Sequence, residues 1–266
     1  MLSPLYGQLS PLRVPTKAVR KVSDDADANA YLLAVESADG QELESGVITA
    51  VESFITGCKS DGIWTAIKAS CILAGARTLS GALVPLVGTA PTNANFVSGD
   101  YNRETGLLGN GSTKYLNSNR NSNADPQDSV HQAIYLMAAP SITASRTIIG
   151  INISPQTFLS SGTSANLGSR CRTTGTYANG SSTSVGFKGQ SRNLAASYLL
   201  RVGGGNSTRT VASSGNPSAN HFVFSTGASG SFDGRLSFYS IGESLDLALL
   251  DTRVSSLMTA LAVAIP

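Results

Sequence analysis

Charge is scarce in this chain. Asp, Glu, Lys and Arg make up 14% of its 266 residues, against about 25% in ordinary soluble domains. The net charge is only +2, and no dense Lys/Arg cluster is present, so a nucleic-acid footprint is not indicated. Histidine is scarcer still: His131 and His221 stand alone. Neither has a third ligand at metal spacing, and neither GxSxG nor HExxH occurs, so no metal or hydrolase motif is in view. Cys58, Cys71 and Cys171 are an odd number and form no CxxC, which predicts buried free thiols and folding in a reducing cytoplasm. Pro4, Pro11 and Pro15 interrupt the N-terminus where an apolar signal core would lie, so no cleaved secretory signal is read there. The most apolar run, residues 71–87, is broken by Arg77 and Pro85, and no membrane span is expected.

With few charges, Ser, Thr, Asn and Gly must supply the polar surface, a composition that suits a sheet protein with many turns. The chain is organised around residues 106–119, which read GLLGNGSTKYLNSN. Asn110-Gly111 is a strong hairpin signal, and Tyr115 and Leu116 open the first confident strand. Before this stretch the pattern is extended or helical; after it, the chain alternates like a sheet protein up to about residue 242.

Residues 1–24 read as an extended arm. Leu2-Ser-Pro4-Leu5 recurs as Leu9-Ser-Pro-Leu12 with Tyr6 between, and Arg13 begins a basic second half. The prolines bar helix there. The expected role is an anchoring interface through Leu2, Pro4, Leu5, Tyr6, Leu9, Leu12 and Arg13. Ser23 or Asp24 is expected to cap a helix that ends at Asp39-Gly40. A second helix is expected from about Gln41 to Lys59, because Val47, Val51, Phe54, Ile55 and Cys58 recur on a 3.6-residue period. Ile63, Trp64, Ile67 and Cys71 continue helical spacing to about Ala74, and residues 79–87 are ambiguous.

Candidate strands follow at residues 115–117, 130–138, 147–151, 157–159, 166–172, 184–187, 195–202, 208–212, 221–225 and 234–239, with Gly/Asn/Pro turns between them. About ten short strands at this spacing predict a two-sheet sandwich or jelly roll. Ser244 is expected to cap a last helix on which Leu247, Leu250, Val254, Leu257 and Leu261 step 3, 4, 3, 4. That seam suits either the chain's own core or a short coiled coil between copies. The division expected is arm 1–24, helical region 25–90, sandwich 91–243 and C-terminal helix 244–266.

A family resemblance adds to this reading. Phe54, Ile55 and Lys59, then Asp61-Gly62-Ile63-Trp64, then Gly109-Asn110-Gly111-Ser112 leading into Tyr115-Leu116-Asn117 resemble a module of tailed-bacteriophage and prophage virion proteins. Gly234-Arg-Leu-Ser-Phe-Tyr-Ser-Ile-Gly-Glu-Ser-Leu is similar to the closing strand of concanavalin A-like (laminin G-type) sandwiches. The resemblance implies a mainly β chain: a jelly-roll or concanavalin A-like sandwich with an N-terminal arm and helices and a C-terminal helix. It also implies a place on the virion, made in the host cytoplasm, as a tail-fibre or appendage subunit or a capsid decoration. Its partners would be other virion proteins and its own copies, as a trimer by analogy, with Leu247, Leu250, Val254, Leu257 and Leu261 as a candidate oligomer seam. It carries over no catalytic residue and no cofactor.

The search for chemistry is short. Glucanases of the concanavalin A-like type need paired carboxylates along one strand, and no such E-x-D-x-x-E run occurs here. Asn121, Asn123, Asp125 and Asp128 alternate oxygen ligands somewhat like a calcium loop, but Pro126 stands where such loops turn through glycine and no bidentate Glu follows. A polar loop is the expectation. Three functions compete: a non-enzymatic virion component, a glycan-binding host-adsorption module with Tyr177 and Tyr198 as candidate sugar contacts, and a glycan hydrolase. The first is preferred on the residues above.

Overall fold

The structure, a computed structural model, describes residues 20–141, 143–227 and 231–266. The arm contacts expected at Leu2, Pro4, Leu5, Tyr6, Leu9, Leu12 and Arg13 lie outside the described residues. The first helix, α1, is Ala26–Asp39. Its cap is Asp25, whose carboxylate accepts the backbone N–H of Asp27 and Ala28, one residue beyond the expected cap. Gly40 ends it with φ of 69°, as Asp39-Gly40 foretold. The second, α2, is Ser45–Ser60, four residues shorter at its start than expected because Leu43 turns into the core instead, its N–H held by the Glu36 carboxylate at 3.0 Å.

From here the chain forms β1 (Ile67–Ile72), a single helical turn α3 (Leu79–Ala82), β2 (Thr92–Ala94), β3 (Tyr101–Asn102), β4 (Gly106–Leu108), β5 (Tyr115–Asn121), β6 (Val130–Ala138) and β7 (Arg146–Gly150). Then come β8 (Gln156–Ser161), β9 (Asn166–Thr173), β10 (Tyr177–Ser181), β11 (Gly186–Leu194), β12 (Ser197–Val202), β13 (Gly205–Thr210), β14 (Asn220–Val223), β15 (Arg235–Gly242) and α4 (Leu247–Ala264). Asp246, not Ser244, caps α4, accepting from the N–H groups of Ala248 and Leu249.

The strands pair antiparallel into two sheets. The first runs β13-β12-β11-β6-β15-β4-β3, with β1 also on β15; the second runs β10-β9-β8-β7-β14-β5-β2. The expected two-sheet sandwich is therefore the fold. One apolar core lies between the sheets, built from inward residues such as Leu116, Ile134, Ile149, Leu159, Val223 and Tyr239. A second core lies between the first sheet's outer face and the helices. There Phe54 of α2 meets Phe238 of β15 edge-on, with ring centroids 5.8 Å apart. Each fully buried aliphatic or aromatic side chain contributes roughly 1.5–3 kcal/mol, so this second core binds the helices firmly to the sheet.

Two expectations are corrected. Residues 67–72 are not helical: β1 pairs with β15, and Ser70 Oγ donates to the Tyr239 carbonyl at 2.7 Å. Apolar residues buried on both strand faces mimic a helical stripe, so periodicity alone misleads here. Asn110-Gly111 is not a hairpin, because β4 and β5 lie in different sheets. The Asn110 side-chain oxygen instead accepts the N–H groups of Ser112, Thr113 and Lys114, folding a compact crossover from one sheet to the other.

The seam residues Leu247, Leu250, Val254, Leu257 and Leu261 are all buried against α2 and the first sheet. The chain's own core, rather than a contact between copies, takes this stripe. By length and composition α4 is apolar enough to cross a membrane, but its apolar side is the one the core covers.

Candidate functional site

Among the described residues, the core cluster that α1, α2 and α4 form includes none from the second sheet. Strand alternation decides what stands on that sheet's outer face. In β8 the burial pattern makes Thr157, Leu159 and Ser161 inward, leaving Gln156, Phe158 and Ser160 outward and half-buried. In β14, His221 and Val223 point inward and Phe222 outward; in β5, Leu116 and Ser118 point inward, Tyr115 and Asn117 outward.

Register then aligns these outward residues. Thr92 lies opposite Asn117, Asn117 opposite Phe222, Phe222 opposite Gly150, Gly150 opposite Phe158, and Phe158 opposite Arg170. Cross-strand partners share a face, so the six positions form one lateral row across β2, β5, β14, β7, β8 and β9. At about 4.8 Å per strand the row is roughly 24 Å long. The next positions along the same strands, Leu116, Val223, Ile149 and Leu159, are all buried in the core.

The row is held in shape. Tyr115 packs edge-on against Phe222 with centroids 5.7 Å apart. The Arg170 guanidinium lies 5.3 Å from the Phe158 ring centroid, while its Nε donates to Thr176 Oγ1 at 2.7 Å and a terminal nitrogen to Gln156 Oε1. Position 150 must be glycine, since a Cβ there would stand 2.4 Å from Phe158 Cβ. Two aromatic platforms with a polar amide, a hydroxyl and a fixed cation beside them suit a ligand with apolar and hydroxylated faces.

Beneath this face the sandwich is unusually polar. Arg172 has φ of 54°, and the register skips it, pairing Gln156 with Thr173 and Thr157 with Cys171. This bulge turns both Cys171 and Arg172 inward. The Arg172 guanidinium donates to the carbonyls of Ser122 (2.6 Å), Asp125 (3.1 Å) and Pro126 (2.6 Å). Arg192, equally buried, donates to the carbonyls of Cys171, Leu194, Ala195, Ser197 and Val211. These two side chains tie down the loops at one end of the sandwich.

The calcium-like loop is explained by the same ties. Asn121 accepts from Asn123 N–H, the Asp125 carboxylate is buried against Arg120, and Asp128 accepts from Ser213 Oγ at 2.6 Å. Among the described residues no His, Cys, Asp or Glu cluster could hold a metal ion. The three cysteines are free and buried; burial pushes the Cys58 and Cys71 thiols up to about 12 and Cys171 up to about 11.

His131 donates from Nδ1 to the Glu243 carbonyl at 2.5 Å and accepts at Nε2 from Ser240 Oγ at 2.7 Å. This is the geometry of a nucleophile and its base, yet both residues are fully buried and no substrate could reach them. Burial pushes the imidazole of His131 down to about 4 and, with the nearby Arg172 and Arg120 charges, that of His221 to about 3. Both are neutral packing residues of their strands.

The tyrosines expected to meet sugar are elsewhere. Tyr198 is buried, its hydroxyl 2.9 Å from Ser169 Oγ, and Tyr177 pairs with inward-facing Ser169. Phe158 and Phe222 went unnoticed in the sequence, although each is an aromatic in the polar phase of an alternating strand. A separate polar cleft of about 330 Å³ lies beside the start of α4, but Ser191 Oγ there already donates to the Leu245 carbonyl and Asp246 caps the helix.

No family model and no curated protein matches the sequence. Among solved structures, a Trypanosoma rangeli sialidase mutant displaying trans-sialidase activity is similar with a TM-score of 0.51 and 10% identity, over 79% of this chain and 39% of that one. The botulinum neurotoxin serotype D binding domain is similar with a TM-score of 0.51 and 13% identity, over 72% of this chain and 51% of that one. The chain thus spans between two-fifths and half of the length of these structures. At such identities the likeness is one of fold: a β-sandwich.

Proposed function

We propose that this protein is a carbohydrate-binding β-sandwich that recognises a host-surface glycan through the outer face of its second sheet. The observation that carries the reading is the register-aligned row Thr92, Asn117, Phe222, Gly150, Phe158 and Arg170, half-exposed on a sheet whose counterpart is covered by helices. Phe158 and Phe222 would stack on the apolar faces of successive sugars, and Asn117, Thr92 and Arg170 would bind hydroxyl or acidic groups. The fold is one it shares with a sialidase, which fits this reading. Binding without catalysis is the form proposed, because the row itself carries no carboxylate, and Asp100, Asp125 and Asp233 elsewhere are engaged by Lys114, Arg120 and Arg146.

The place of such a module on a phage particle, in an adsorption structure built from several copies, rests on the sequence motifs of residues 54–119 and not on the structural likenesses. A glycan array spanning bacterial surface polysaccharides and eukaryotic oligosaccharides tests the main reading. Saturable binding to a defined glycan class is expected; absence of binding to every class would remove it. Release of reducing sugar from a bound glycan would instead move the protein into the hydrolases.

A further inference from the structure

The outer side of the α2/α4 layer carries no charge. The exposed residues of α2 are Ser, Thr and Gly, and those of α4 are Leu249, Thr252, Ser256, Thr259, Ala262 and Val263. A helix that meets only water normally presents charged side chains there. The four charged residues of these helices are instead half-buried and engaged. Glu52 accepts from Ser23 Oγ at 2.7 Å, Lys59 pairs with Asp25 and Asp27, Asp251 with Arg201, and Arg253 with Asp61. Val263 is 84% exposed. Depleted charge beside exposed apolar side chains is the composition of an interface centre.

Shape and symmetry point to a second copy of the chain as the occupant. Between α2 and α4 runs a mainly apolar groove of about 960 Å³, lined by Thr49, Ser53, Ser256, Ala260 and Val263 among others. Leu249, Ser256 and Val263 recur every seven residues, so they fall on one stripe that drifts by only about 20° per step. Ser256 is its midpoint. A two-fold axis through Ser256, with the helices antiparallel, sets Leu249 of each copy against Val263 of the partner subunit. The small Ser256 lets the backbones approach, the helix dipoles oppose, and Arg253 faces neutral Thr259 of the partner subunit rather than another cation. Size also fits. The 18 residues of α4 are about 27 Å long and two packed helices about 20 Å wide. The face therefore covers roughly 540 Å² per copy, about 1,080 Å² in a pair, where a specific interface needs about 1,000 Å². A bilayer surface suits it less, since interfacial helices set Lys and Arg beside bulky apolar anchors.

We propose that two copies of this chain pair through the α2/α4 face, antiparallel about Ser256, with each α4 seated in the groove of the other. The stripe used is the side of α4 opposite the buried seam of Leu247, Leu250, Val254, Leu257 and Leu261. Because the helices cover the first sheet, the open faces of the two second sheets stay free on opposite sides of the pair. The pairing rests on the helices alone and does not depend on glycan binding.

The test is sedimentation velocity of the full chain, without glycan, over a wide concentration range. A reversible species of twice the 27.4 kDa chain mass is expected. Ser256→Arg and Ser256→Glu each set like charges against each other at the axis and should weaken pairing at least tenfold, with unchanged circular dichroism showing an intact fold. An equimolar mixture of the two variants should restore the pair. A native chain that stays monomeric, a trimer, a pair that Ser256→Arg leaves unchanged, or variants that fail to pair when mixed would each overturn the proposal. Flotation of a monomeric native chain with phosphatidylglycerol vesicles would give the face to a membrane instead.

Discussion

The two sheets of this sandwich meet on similar inner faces and differ on their outer ones. The first sheet turns Phe187, Phe238, Ile67 and Ile72 outward, and α2 and α4 cover them with Phe54, Val254 and Leu250. The second turns out Tyr115, Phe158 and Phe222 set among Asn117, Thr92 and Arg170, and these stay half-exposed. Aromatic rings on the first sheet act by excluding water within the fold. On the second they sit in a polar frame, where their rings are fixed by neighbours without being covered. Phe158 and Phe222 lie outside the two cores, and the proposed ligand-binding face rests on them.

Substitution on each face separates the two roles. Phe54→Ala on the covered face is expected to remove about 3–5 kcal/mol of stability, read as a lower midpoint in urea unfolding, while the folded fraction binds glycan as before. A loss under about 1 kcal/mol would show that the helices are only loosely held.

Acid should weaken the interior next. His131 and His221 are held neutral by burial, at about 4 and about 3 against 6.5 when unfolded. Between these values the unfolded chain binds more protons than the folded one, so stability falls as pH drops from about 6.5 toward 4. Each histidine contributes roughly 2 kcal/mol of that loss by pH 4.5. Urea midpoints at pH 7 and pH 4.5 measure it, and His131→Asn should flatten the dependence by about half. A pH-independent midpoint would mean that the histidines are solvated.

On the open face the order of effects reverses. Phe222→Ala should cost no more than about 1.5 kcal/mol of stability, the scale of its aromatic pair with Tyr115, and weaken glycan binding by tenfold or more. Arg170→Ala should act least on the fold, since its stack on Phe158 is worth about 0.5–1 kcal/mol. It should weaken an acidic glycan more than a neutral one in parallel titrations. Equal weakening of both would assign Arg170 to shaping the Phe158 ring rather than to contact with ligand.

Much of the fold was legible because alternation and capping are local. Residues 130–138 read as a strand and form β6 with the same bounds, and the stripe on α2 faces the core as its spacing required. Residues 67–72 did not read correctly, because burial on both faces erases alternation. The crossover at Asn110 looked like a hairpin because the same Asn-Gly chemistry serves any tight turn; which strands it joins is a tertiary fact. The open face was hidden for a related reason. Phe158 and Phe222 are 64 positions apart in sequence, and only the pairing of β14, β7 and β8 sets them on one row. The tyrosines that composition favoured, Tyr177 and Tyr198, fall on the inward phase of their strands.

The central claim is that the open face binds carbohydrate. The most direct measurement is calorimetric titration of the best array glycan into the native chain and into a Phe158→Ala/Phe222→Ala variant, with thermal melting of both. The account predicts binding by the native chain, at least a tenfold loss in the variant, and melting temperatures within a few degrees of each other. Unchanged affinity in a folded variant would contradict it and move any glycan site off the second sheet.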